Sequence, residues 1–117
     1  MSAITDPLQI AAELQRRLLD RRAKHYGLID TLAPVRCADG FQVSVQAGPA
    51  IYSIPRGPGP WRAVELGFPT SPLPSLAEYI DGGDPETATE TVWGYVPIEK
   101  VAALLADHGG LLPIASR

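Results

Sequence analysis

The chain has 117 residues, 45% hydrophobic and 20% charged, with 10 basic side chains against 13 acidic ones and a net charge of −3. That is the size and balance of one globular domain, residues 1–117, able to bury a core without a metal or disulfide staple, and it excludes wholesale disorder. Cys37 is the only cysteine, which excludes an intramolecular disulfide. The first residues lack the basic start and apolar run of a leader, and no apolar stretch approaches the roughly 20 residues that span a bilayer. The expected setting is a cytoplasm, with no membrane partner.

Asp6-Pro7-Leu8-Gln9 reads as a helix start, with Asp6 as cap, Pro7 at the first helical position and Gln9 at capping-box spacing. Leu8, Ala11, Ala12, Leu14, Leu18, Leu19 and Ala23 continue an apolar stripe and predict a helix over 7–26, ended by Gly27. "VRCADGFQVSVQA" predicts a hairpin turning at Asp39-Gly40, with a first strand at 35–38. Phe41, Val43, Val45 and Ala47 then face one side, and Gln42, Ser44 and Gln46 the other. "AIYSI" and "WRAVELGF" predict two more strands, separated by the Pro/Gly loop "RGPGP".

Ser75 with Glu78 three residues later predicts a short helix before Gly82-Gly83. "TETVWGYV" predicts a strand, and "PIEKVAALLADHGG" a closing helix over 97–108, followed by Gly109-Gly110. Strands in a run at 35–96, with helices before and after, predict an α+β domain. Its mainly antiparallel sheet of four to five strands would carry the N- and C-terminal helices packed on one face. The other face is then the surface of interest.

Chemistry-bearing motifs are absent from the sequence. Cys37, His25 and His108 have no metal-ligand spacing, so neither metal nor cofactor is expected. Cys37 reads as a small core residue, and His108 as a residue of the last helical turn. No nucleophile elbow, phosphate loop or dinucleotide fingerprint occurs, and the prolines of "RGPGPW" remove amides that a phosphate cradle would use. The expectation is a protein with no catalytic residues.

Charge is unevenly spread. Arg16, Arg17, Arg21, Arg22 and Lys24 make up half of the basic residues, while Glu78, Asp81, Asp84, Glu86 and Glu90 gather later. Either group reads first as a solvated surface, and a pI near 5.2 argues against direct nucleic-acid binding. What remains is a polar and aromatic set around the sheet: Gln42, Ser44, Gln46, Tyr52, Arg56, Trp61, Arg62 and Glu65, with Trp93 and Tyr95, which as a pair suit a core better. Arg, Trp and Tyr supply most of the energy of protein interfaces, so the set is a candidate docking surface. The loop 56–62, with Trp61 exposed, is its expected centre.

"RCADGFQVSVQAG", "IPRGPGPWRAVELGFP" and "TETVWGYVPIEKVAALLADHGG" resemble a family of small proteins encoded by tailed phages and prophages, over about 35–110. That family carries no settled activity, so the resemblance implies a bacterial host cytoplasm rather than a catalytic residue list. A small phage protein without catalytic motifs is similar in kind to anti-CRISPR inhibitors. The implied function is non-enzymatic inhibition of a bacterial host protein or ribonucleoprotein complex by protein–protein contact. Two other classes stay open. A small-ligand or nucleotide-binding module would place Arg56, Glu65 and Tyr52 in a concave pocket. A phage structural or assembly accessory protein would present a self-complementary surface, as would a homodimer.

Overall fold

The computed structural model describes residues 2–20 and 32–114. Helix α1 is Pro7–Leu19, with Pro7 in its first turn and Ile10, Leu14 and Leu18 buried at four-residue spacing. The capping box does not form: Asp6 holds the cap position with extended backbone, but its side chain bonds nothing there. The helix also stops earlier than the stripe suggests. Asp20 leaves helical geometry after its amide donates to the Arg16 carbonyl at 3.0 Å. An aspartate at this end opposes the helix dipole and competes for local backbone bonds. The rest of the expected helix, with Arg21, Arg22, Lys24 and His25, lies outside the described residues.

Four strands follow: β1 (Val35–Arg36), β2 (Gln42–Gln46), β3 (Ala63–Gly67) and β4 (Val92–Pro97). They form an antiparallel meander in the order β1-β2-β3-β4. The β1–β2 turn uses Asp39-Gly40 as expected. Gly40 takes φ +98°, a conformation that favours glycine, and the Phe41 amide donates to Asp39 Oδ1 at 2.9 Å.

"AIYSI" is not a strand. Its alternation is right, but Gly48 and Ala50 both take positive φ, which breaks the extended run, and only Ile54 pairs, in a single bridge to Ala63. The segment is instead a loop laid beside the start of β3. Its buried Ser53 hydroxyl accepts from the Gly48 amide at 3.0 Å and donates to the Pro55 carbonyl at 2.8 Å, tying the loop to itself.

The short helix exists as a 3-10 segment, Pro74–Tyr79, with Leu73 rather than Ser75 at its cap. It delivers Ile80 to a bridge with Trp93 on β4. Helix α2 is Ile98–Asp107, and Gly109 and Gly110 follow at φ +89° and +103°. A Cβ on Gly110 would lie 2.6 Å from the Ile4 carbonyl, so this close pass needs glycine. Ile4 and Leu111 exchange both backbone bonds at 2.8 Å, and Leu111 also bridges Cys37.

The inner sheet face supplies Val43, Val45, Val64, Leu66, Trp93 and Val96 to one core shared with Ile10, Leu14 and Leu18 of α1 and Val101, Ala102 and Leu105 of α2. Apolar burial on that scale is the main stabilising term. Against it stands the Trp93 indole N–H, buried without an acceptor among the described residues, at a cost of about 1–3 kcal/mol. No helix among the described residues is long and apolar enough to cross a membrane.

Candidate functional site

The eight residues read from sequence as a docking set separate into three groups. Trp61 is not exposed. It is 2% accessible, because "RGPGPW" curls back: the indole N–H donates to the Gly57 carbonyl at 3.0 Å, and the ring lies so close to Gly59 that a Cβ there would approach it to 2.5 Å. Gln15 of α1 closes the contact from the other side, accepting from the Trp61 amide at 3.0 Å and donating to its carbonyl. Trp61 is therefore core, and it is not the exposed anchor expected at the centre of loop 56–62.

The polar side of β2 is not uniformly wet either. Gln46 is 7% accessible, bonded to both the amide and the carbonyl of Leu32 and to Ser44 Oγ at 2.9 Å, and Ser44 is half-buried beneath it. Only Gln42 is exposed. Its backbone N–H donates to Thr70 Oγ1, and its position at the start of β2 leaves it apart from the rest. Arg62 is exposed, but its backbone is tied to Ile54 and Ile98.

Tyr52, Arg56 and Glu65 do come together, around a residue that sequence reasoning had favoured for the core. Between the pairs Val64–Val96 and Leu66–Trp93, Glu65 faces two residues, Gly94 and Tyr95, which is a β-bulge. Tyr95 takes φ +58°, a strained conformation for an aromatic residue, and is turned outward to 41% exposure. Its amide donates to the Tyr52 carbonyl at 3.0 Å, and the two rings stack with centroids 5.6 Å apart.

Gly94 makes this approach feasible, since the Tyr52 side chain would lie 3.1 Å from a Cβ at that position. Glu65 accepts from the Tyr52 amide at 3.4 Å, and the Arg56 guanidinium stands 5.7 Å from the Tyr52 ring centre. Burial pushes the Glu65 carboxyl up, and the negative charge of Asp81 pushes it further.

Beside the paired tyrosines lies an open hollow of about 420 Å³, lined by Tyr52, Glu78, Tyr79, Ile80, Asp81, Gly94 and Tyr95. Sequence reasoning missed Tyr79, Glu78, Asp81 and the outward turn of Tyr95. The available signal was Gly94 itself, since glycine inside a β-rich run marks a bulge or a close approach.

A second cavity of about 370 Å³ runs between the end of α1, residues 32–36 and Pro113-Ile114. Its arginines are engaged structurally: Arg17 bonds Glu13 and the Leu112 carbonyl, and Arg36 the Pro113 carbonyl. Cys37 is buried and its thiol is pushed up to about 11, chiefly by burial and then by Asp39, so it is a poor nucleophile. His108 caps α2, stacks on Phe41 and pairs with Asp39 at 2.7 Å. Among the described residues no three His, Cys, Asp or Glu side chains converge to hold a metal ion. No protein-family model, curated protein or solved structure matches the chain.

Proposed function

We propose that this chain is a non-enzymatic protein-binding domain that inhibits a bacterial host complex by contact, with the Tyr52–Tyr95 pair at the centre of its docking face. The phage setting and the anti-defence target rest on the sequence resemblance. The docking face rests on one observation: an aromatic residue is held at positive φ in the middle of a strand with its ring in solvent. Such a conformation costs about 1 kcal/mol or more, and strain of this kind gathers at binding surfaces.

The paired rings fit the role, since they are already ordered by stacking and lose little freedom on docking. Ile54 and Arg56 extend the exposed patch on the same loop as Tyr52. The test is affinity capture of the tagged protein from bacterial lysate, repeated with Tyr52→Ala and Tyr95→Ala. Each substitution should weaken capture of a defined complex by about 2 kcal/mol, while thermal stability falls by no more than the lost ring stacking, about 0.5–1.5 kcal/mol. Undiminished capture by both variants would place the docking face elsewhere.

A further inference from the structure

We infer that the hollow beside the paired tyrosines receives an arginine side chain of the partner protein, an assignment that rests on the docking reading above. Three aromatic rings and two carboxylates line the hollow, and no basic residue does. The chain from 78 to 90 carries Glu78, Asp81, Asp84, Glu86 and Glu90 and no lysine or arginine. Among the described residues none of these five carboxylates forms an ion pair. Glu65, against the backbone of Tyr52, adds a further acidic group that feels Asp81. Among the described residues the carboxylates that line the hollow are thus held in no ion pair.

The rings carry the second half of the argument. Arg56 stands 5.7 Å from the centre of Tyr52, and Lys100 stands 5.7 Å from that of Tyr79. Both cations are exposed, and neither lines the hollow. The chain's own cations therefore already stand beside two of these rings, as tyrosine faces attract cations in general. Among the described residues neither Glu78 nor Asp81 forms an ion pair.

A planar guanidinium can lie along a tyrosine ring while its N–H fork reaches a carboxylate; a compact, strongly hydrated ammonium can meet a ring or a carboxylate but has no planar fork to do both at once. A phosphate, and with it a nucleotide, would meet carboxylates where it needs donors. The same geometry therefore disfavours the nucleotide-binding alternative at this hollow.

The test titrates the full-length protein with acetyl-Gly-Arg-Gly-amide and follows its tyrosine ring resonances by NMR. Saturable shifts are expected at Tyr52, Tyr79 and Tyr95. The citrulline peptide, which keeps the shape without the charge, should bind about tenfold more weakly, and the lysine peptide should also bind more weakly. Glu78→Gln combined with Asp81→Asn changes two side chains with no partner to lose, and should weaken the arginine peptide about tenfold in a protein that still melts normally.

No saturable shift, equal binding of the citrulline or lysine peptide, or full binding to the doubly neutralised variant would overturn the assignment. Capture of a complex that needs Tyr95, with no arginine-peptide binding, would overturn this inference and leave the docking reading standing. Peptide binding with capture indifferent to Tyr52 and Tyr95 would do the reverse.

Discussion

Trp61 shows how far one residue can depart from its local sequence. Two prolines and two glycines before it predict exposure, yet the loop they build is tight enough to fold the indole back onto its own backbone. Gly57 and Gly59 supply the local half of that contact, but the partner that completes it, Gln15, is 46 positions away. Replacing Trp61 by Ala should lower stability by about 3 kcal/mol or more, read from denaturant unfolding. Trp61→Phe keeps most of the apolar area and loses one buried hydrogen bond, so about 1–2 kcal/mol is expected. Phe41 needed no such correction. Its buried position followed from alternation alone, and the structure adds the His108 ring stacked on it.

The elements divide along the same line between local and distant causes. The Asp39-Gly40 turn, strands β2 to β4 and the Gly-Gly end of α2 were legible because turn chemistry and side-chain period are local. The bulge at Gly94-Tyr95 was hinted at by its glycine alone, since the carbonyl that Tyr95 bonds, that of Tyr52, lies more than 40 positions earlier in the chain. The candidate site was correspondingly half legible. Tyr52, Arg56 and Glu65 were named from residue type, whereas Tyr95 joined them only through that contact.

Helix α1 offers a test at this scale. Glu13 bonds Arg16 at 2.6 Å and Arg17 at 2.8 Å, and these contacts, Arg16 foremost, hold its carboxyl at about 2 against an ordinary 4.5. A depressed carboxylate stabilises the fold fully above its unfolded value and loses that contribution as pH falls through its folded value. Glu13→Gln should therefore cost about 1–2 kcal/mol at neutral pH, because Arg17, 7% accessible, loses its charged partner. The gap between variant and parent should close between pH 4.5 and pH 2 in thermal melts taken across that range. A gap that stays constant with pH would mean that Glu13 acts through packing alone.

Across the whole molecule, the acidic segment and the exposed tyrosines meet because the 3-10 segment is stitched to the strand that carries the bulge, through Ile80 and Trp93. One further long-range connection shapes how the chain reaches this state. Ile4, Leu111 and Cys37 are laced together by backbone bonds, and the apolar stripe of α1 shares its core with α2. Chain leaving a ribosome presents α1 well before α2, so α1 waits with Ile10, Leu14 and Leu18 uncovered on the side that α2 covers. Nascent chains arrested before α2 should be cut by protease as readily as unfolded chain, and chains carrying Leu111 should resist. If arrested chains resist, α1 and the sheet fold without α2. Otherwise a prematurely terminated product presents no ordered tyrosine face, and the docking surface comes into being only once the residues that lace the two ends together have been made.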